Sequence, residues 1–327
     1  MKPVIFSGIQ PTGNIHLGNY LGALANWVTL QNSGDYTCYF SIVDYHALTG
    51  DRTAEERYAQ IMVTAAELLA LGIDPEKSVF FVQSHVRAHT ELAWVFQSVT
   101  PMAELERMTQ YKDKSQQQAK NINVGLFTYP VLQAADILLY HGTHVPVGED
   151  QKQHIELTRD TARWFNNKYG NYFPETNVLL TNMPRVKSLL EPTKKMSKSL
   201  GEGHVIELAD EPEIIEKKLK KAVTATTGGE ENPGVENLLL ILEHVASKDI
   251  YNTFVSQVKD ETIQYGELKQ VLAQSISEKF SEFRAKRAAL LQDPRLLSDM
   301  LALGADKAMQ VAEKTMQEVR QRIGVRT

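Results

Sequence analysis

The 327-residue sequence predicts an α/β protein, a Rossmann-like doubly wound parallel sheet followed by a second, all-helical domain. Three observations carry this. Short apolar runs alternate with helical patterns in the first half, strand signals fade near residue 207, and the length suits about two domains of roughly 150 residues. The domains expected are 1–206 and 207–327. Val4-Ile5-Phe6-Ser7, stopped by Gly8 and Pro11, reads as a buried parallel strand. Gly18 to Leu30 then carries Tyr20, Leu21, Leu24, Trp27 and Val28 at helical spacing, and Tyr39-Phe40-Ser41-Ile42-Val43 reads as the next strand, completing a βαβ unit. Thr53-Ala54-Glu55-Glu56 is a capping box for a helix ending near Gly72, Asp74-Pro75 makes a turn, and Val79-Phe80-Phe81-Val82 is a third strand. Helices are expected over Glu213–Val223, Val235–Ala246, Leu268–Leu291 and Lys307–Ile323, with a loop at Gly228–Gly234.

Composition narrows the function classes. Hydrophobic residues make up 43% and charged residues 23%, which excludes disordered and collagen-like chains. The 35 Lys and Arg against 40 Asp and Glu leave a net charge of −5, so no blanket of positive charge draws nucleic acid non-specifically. A DNA partner is not expected, and an RNA site would have to be a local patch. Cys38 is the only cysteine, which forbids an internal disulfide and any multi-cysteine metal site and suits a reducing compartment. The start lacks a secretory pattern, and the most apolar helical stretch, Ile61 to Ile73, is interrupted by Glu67 and shorter than the roughly 20 residues a bilayer needs. A cytoplasmic protein with no membrane partner is expected.

Two loops carry chemistry. Gly8-Ile9-Gln10-Pro11-Thr12-Gly13-Asn14-Ile15-His16-Leu17-Gly18-Asn19 follows the first strand, where doubly wound sheets bind ligands and a helix start offers free N–H groups to phosphate. His16 and Asn19 can donate to phosphate oxygens, and Gly18 lacks the side chain that would block an adenine ring. Alone, such a loop reads first as a turn with a capping residue. Lys194-Lys195-Met196-Ser197-Lys198-Ser199 lies about 180 residues later, just before the helical region. Mobile lysines suit a separating pyrophosphate, although a short lysine run is most often a solvated turn. The pairing of the two, in this order, is what points to nucleotide chemistry.

In these two signatures the chain resembles the class I aminoacyl-tRNA synthetases. Phe6–Gly13, Gly18–Ala23, Glu104–Gln110, Gln133–Tyr140 and Val145–His154 further resemble the bacterial and mitochondrial tryptophanyl-tRNA synthetases, a likeness running from residue 4 to about 325. It implies an ATP site formed by Gln10, Pro11, Thr12, Gly18, Asn19, Gly148, Glu149, Asp150, Val186, Lys195, Met196, Ser197, Lys198 and Ser199. His16, Asn19, Lys114, Lys195 and Lys198 would handle phosphate, with Mg²⁺ on the triphosphate. Phe6, His46, Tyr129, Gln133, Asp136 and Gln151 would surround the tryptophan, Asp136 accepting the indole N–H, a donor-only group matched to an acceptor-only carboxylate. From the residues alone, Tyr129-Pro130 opens a helix that sets Gln133, Asp136 and Tyr140 on one face. A buried Asp capping a neighbouring helix is then the simpler reading of Asp136, and a core position that of Phe6.

The resemblance also implies tRNA(Trp) as partner, anticodon contacts from the helical region and a homodimer. Basic clusters at Lys217-Lys218 and Lys220-Lys221 and at Arg284, Lys286 and Arg287 suit tRNA, and equally a solvated helix face. Trp94 suits either a helix interface or a core. No protein-held metal is expected. Two departures stand out: Leu200-Gly201 follows Ser199 where the family usually has Asp and often Pro, and Gln133 replaces the Met of many bacterial members. The expected activity is tryptophan activation and tRNA charging. The alternatives are a tyrosyl-tRNA synthetase, a small-molecule nucleotidylyltransferase and a non-catalytic tRNA-binding paralogue.

Overall fold

Apolar runs at strand spacing and amphipathic stretches between them generate the elements in the order the alternation predicts. The computed structural model describes residues 2–109, 123–148, 151–180, 184–224 and 232–325. Strand β1 (Val4–Ile9) is followed by α1 (Ala25–Ser33), β2 (Thr37–Ile42), α2 (Ala54–Ala70) and β3 (Val79–Val82). Then come α3 (Ala88–Gln97), the short α4 (Met102–Glu106), α5 (Val124–Leu138), β4 (His144–Val147), α6 (Lys152–Tyr169) and β5 (Asn177–Leu180). The remainder is α7 (Pro212–Lys221), α8 (Pro233–Val245), α9 (Lys248–Lys259), α10 (Tyr265–Lys279), α11 (Ser281–Leu291) and α12 (Pro294–Ile323). No helix among the described residues is long and apolar enough to cross a membrane.

The sheet runs β3-β2-β1-β4-β5, with every pairing parallel, as expected of a doubly wound fold. Phe40 on β2 sits beside Ser7 on β1 and Phe80 on β3; β2 and β3 are buried almost throughout and β1 over Ile5–Ser7, as a sheet covered on both faces requires. The strand order turns back between β1 and β4, so the loops leaving Ile9 and Val147 emerge at the crevice where such sheets bind ligands. Helix α2 begins with the expected capping box: Thr53 Oγ1 accepts from the Glu56 N–H (3.2 Å) and the Glu56 carboxylate accepts from the Thr53 N–H (2.9 Å).

The chain divides into two compact units. Met1–Gly13, Asn26–Thr181 and Asp293–Thr327 form the sheet unit; Asn14–Ala25 and Asn182–Gln292 form the helical unit. This differs from a single cut at 206/207, because long-range contacts assign segments that local patterns cannot. Helix α12 belongs with the sheet: a Cβ on Gly304 would lie 1.7 Å from the Phe80 carbonyl oxygen, the Thr315 hydroxyl donates to the Leu139 carbonyl (2.9 Å), and Arg320 grips Glu91 through Nε (2.8 Å) and Nη2 (2.6 Å).

The helical spans differ in instructive ways. The stretch expected as one helix from Gly18 starts with a single turn at Leu17–Asn19, widens into a π-helical turn at Tyr20–Leu24 and only then becomes α1. The span Leu268–Leu291 is two helices, broken at Phe280, whose buried ring packs edge-on against Tyr20 (5.1 Å) and leaves its backbone outside the helical region. Helix α12 starts at Pro294, capped by Asp293, 13 residues before Lys307; Gly304, poor in a helix by propensity and required here by β3, obscures the pattern. Helix α9 was not anticipated, although Ile250, Phe254 and Val258 recur at four-residue spacing. Of the loop expected at Gly228–Gly234, residues 228–231 lie outside the described residues, and Pro233 and Gly234 already belong to α8.

Candidate active site

Helix α5 carries the decisive carboxylate. It begins at Val124, with the Asn123 side chain capping the Leu126 N–H (3.0 Å), so Pro130 lies inside the helix rather than opening it. Asp136 is 1% exposed and caps nothing. Its Oδ2 accepts from His46 Nε2 (2.7 Å), and its Oδ1 accepts from Gln83 Nε2 (2.7 Å) and His89 Nδ1 (2.6 Å). Burial pushes this carboxyl up, but hydrogen bonds and electrostatic attraction from His46 and His89 outweigh it and hold it below the usual carboxylate value. With His89 Nδ1 donating, Nε2 accepts from the Tyr140 hydroxyl (2.8 Å), whose proton burial and the Asp136 charge retain. Phe6 is a core residue in its packing, 3% exposed and stacked on Tyr140 at 5.8 Å.

Gln83 and His89 are functional candidates that sequence reasoning missed. Their signal was available: both follow the wholly apolar strand β3, at the carboxyl end where ligands bind. His46, on a short 3₁₀ turn after β2, and Tyr129, on α5, stand edge to face at 6.2 Å, and both line a cleft of about 400 Å³ with Trp94 and Leu132. Tyr129 shares a hydrogen bond with His154 Nε2 (2.9 Å), and burial pushes its hydroxyl up to about 12, so it stays protonated. Trp94 is 74% exposed on α3, which removes the core reading of this residue.

The sheet unit also holds Gln10, Pro11 and Thr12 directly after β1, with the Thr12 N–H donating to the Gln10 carbonyl (2.9 Å) and Arg52 donating to the Pro11 carbonyl (3.3 Å). Gly148 follows β4 directly, its carbonyl accepting from the N–H of Gln151, the residue that precedes α6. Gln133 is half-buried on α5, three residues before Asp136. Lys114, Glu149 and Asp150 lie outside the described residues.

The helical unit gathers the second half of the first signature loop, from Asn14, and the lysine loop. His16 caps the Leu17–Asn19 turn: its Nδ1 accepts from the Asn19 N–H (3.3 Å) and Asn19 Oδ1 accepts from the His16 N–H (3.3 Å). Burial, then the charges of Lys198 and Lys195, push the imidazole down to about 3. The ring is therefore neutral at pH 7, with its proton on Nε2, a donor that needs no positive charge. A Cβ on Gly18 would lie 3.0 Å from the His16 ring and 3.3 Å from the Met196 Cβ, so any side chain here would have to push the His16 ring or Met196 aside by a few tenths of an ångström, apart from any adenine.

Two backbone pairings explain how signatures about 180 residues apart converge. The Leu17 N–H donates to the Ile206 carbonyl and the Leu208 N–H to the Ile15 carbonyl (both 2.9 Å), setting His16 opposite Glu207. Residues 186–188 run antiparallel to 194–196, with the Met196 N–H donating to the Val186 carbonyl (3.0 Å) and Ser188 N–H to the Lys194 carbonyl (2.9 Å). Val186 and Met196 are buried, and the Ser197 hydroxyl caps a 3₁₀ turn, Lys198–Leu200, through the Ser199 N–H. Lys198 Nζ donates to the Asn14 carbonyl and lies 3.6 Å from Glu207 Oε1, while Glu207 Oε2 accepts from Asn14 Nδ2 (2.7 Å). A neutral histidine donor and two lysines beside it form one cluster whose donors and charge are chemically able to meet phosphate oxygens.

The family model of tRNA synthetases class I (W and Y) matches residues 1–281. The chain belongs to this family. Among its curated relatives, a tryptophan–tRNA ligase from Wolinella succinogenes is 45% identical over 331 positions, covering 99% of both chains. Another from Clostridium tetani is 43% identical, covering 99% of this chain and 96% of its own. A tryptophanyl-tRNA synthetase from Campylobacter jejuni, solved with ADP and tryptophan, matches at a TM-score of 0.85 and 35% identity over 98% of this chain and 99% of that one. In the synthetase described here, both signatures and the Asp136 cluster fall inside the matched span.

Proposed function

We propose that the chain activates L-tryptophan with ATP and transfers it to tRNA(Trp), Asp136 selecting the indole and His16, Asn19, Lys195 and Lys198 acting on the phosphates. The full-length likeness to tryptophan–tRNA ligases supports the reaction, and the buried Asp136 cluster carries the specificity. A carboxylate offers about four acceptor sites. Gln83, His46 and His89 use three, which leaves one for an indole N–H. Phenylalanine would leave that site unsatisfied, so strong rejection needs no editing domain. Phe6, Tyr129, Gln133 and Gln151 complete the amino-acid pocket.

In the first step a tryptophan carboxylate oxygen attacks the α-phosphorus of ATP, the bond from that phosphorus to the bridging oxygen breaks, and pyrophosphate leaves with the electron pair. Lys195 and Lys198 follow the growing negative charge, and neutral His16 donates to a phosphate oxygen without presenting a proton it must later recover. Gln10, Pro11, Thr12, Gly18, Gly148, Glu149, Asp150, Val186, Met196, Ser197 and Ser199 hold the nucleotide, and Lys114 assists at the triphosphate. Mg²⁺ would enter with the nucleotide, bound to its triphosphate. In the second step a terminal ribose hydroxyl of the tRNA attacks the adenylate carbonyl, AMP leaves, and the hydroxyl proton passes to solvent or phosphate.

Helices α7 to α11 would carry the anticodon contacts, and the reaction's place is the cytoplasm. The exposed Leu48, Trp94 and Val124 beside the His46 cleft suit burial against a second copy, giving a homodimer. Amino-acid-dependent ATP–pyrophosphate exchange tests the whole reading. Exchange with tryptophan alone is expected; exchange with tyrosine would move the chain to the sister activity, and none from folded protein with Mg²⁺ would favour a non-catalytic tRNA binder.

A further inference from the structure

We infer that Asn237 on α8 is a positioning residue for the loop lysines Lys195 and Lys198, acting through the backbone of Lys187. The inference rests on the phosphate-handling role proposed for those lysines. In the antiparallel pairing of 186–188 with 194–196, the bonds flank the Lys187–Lys195 pair, so this pair is the non-hydrogen-bonded kind, with its own N–H and C=O groups turned outward. Lys187 therefore presents an edge that another strand would normally satisfy. Asn237 satisfies it instead: Oδ1 accepts from the Lys187 N–H at 2.7 Å and Nδ2 donates to the Lys187 carbonyl at 3.0 Å. A side-chain amide serves both at once, with one acceptor and one donor side by side, which an ionised carboxylate cannot.

The amide is itself fixed. Asn237 is 4% exposed, and one turn earlier on the same helix face Gly234 comes so close to Val223 that a Cβ would lie 2.1 Å from its carbonyl oxygen. The Val223 N–H in turn donates to the Leu189 carbonyl (2.8 Å), two residues beyond Lys187. The start of α8 thus holds the first arm of the hairpin at two points. Partners in a non-hydrogen-bonded pair lie only about 4.5 Å apart at their Cα atoms, so the placement of Lys187 is passed directly to Lys195, and through the short turn to Lys198. Reacting groups lose rate steeply when mispositioned, even by about 1 Å.

The test uses the full chain with Asn237→Ala and with Asn237→Asp, which keeps size and the acceptor for the Lys187 N–H but sets a second acceptor against the Lys187 carbonyl. Tryptophan-dependent exchange is measured per titrated active site, alongside tryptophan binding by equilibrium dialysis and transfer to tRNA from preformed adenylate. Pyrophosphate takes no part in that transfer. In both variants exchange kcat per site should fall by about tenfold or more, with tryptophan affinity and transfer within about twofold of the parent. A lowered melting temperature with unchanged exchange per site, or equal losses in all three measurements, would overturn the inference by making Asn237 a residue of folding alone. Should Asn237→Ala not fold, the isosteric Asn237→Asp decides. A parent chain without exchange would instead refute the proposed role of the lysines.

Discussion

Replacing Asp136 by Asn removes one charge and one acceptor oxygen from a site that is 1% exposed. Three donors converge on the carboxylate at 2.6 to 2.7 Å. An Asn side chain can accept at its single oxygen only, and its amide must face either His46, which then has to change tautomer to accept, or the Gln83 and His89 pair, where it meets the Gln83 amide donor against donor. A hydrogen bond to a charged group contributes about 1.5–3 kcal/mol, and a buried donor left unsatisfied costs about 1–3 kcal/mol. Losing the indole bond and misaligning the remaining cluster should therefore cost about 3–4 kcal/mol in the transition state. At 1.36 kcal/mol per tenfold, tryptophan kcat/KM falls on the order of 10²–10³-fold. The indole bond proposed for Asp136 would by itself account for about 10- to 100-fold of a preference for tryptophan over phenylalanine. Pyrophosphate exchange with each amino acid in turn reads both numbers. An unchanged tryptophan to phenylalanine ratio would refute the assignment, whatever happened to the absolute rate.

Glu207→Gln removes the carboxylate beside Lys198, a half-exposed pair contributing about 0.2–1 kcal/mol, so the KM for ATP in exchange should fall by about two- to fivefold; an unchanged or raised KM would sink that link. His16 titrates near 3 in the folded chain against 6.5 for the free side chain, so between those values the unfolded state binds the extra proton and stability falls as pH falls, by about 1.4 kcal/mol per pH unit below about 6.5. Urea unfolding of the parent and of His16→Asn at pH 7 and pH 5 should show the steeper acid loss only in the parent; parallel losses would contradict it. Trp94→Glu puts a charge on the exposed α3 face and should yield monomers in sedimentation velocity under conditions where the parent is dimeric. A monomeric parent, or a dimeric variant, would count against that face.

Periodicity and turn chemistry in the sequence marked three of the five strands of the described sheet, leaving out His144–Val147 and Asn177–Leu180, and most of the helices, because alternation, capping boxes and Gly or Pro stops act over a few residues. The Thr53 cap and the parallel strands at Val4, Tyr39 and Val79 were legible for that reason. So was the family, through whole motifs in a recognisable order, as the match over residues 1–281 bears out. What the sequence could not settle depends on contacts across many residues. Gly304 marks a poor helix former until β3 is seen pressed against it, and Phe280 reads as helix interior until its ring meets Tyr20. Gln83 and His89 stand 53 and 47 residues from Asp136, and Asn237 stands 50 from Lys187. Each is an ordinary polar residue in its own neighbourhood. Only the folded chain removes water from around them, and a buried donor or acceptor must then find its partner wherever in the sequence that partner lies.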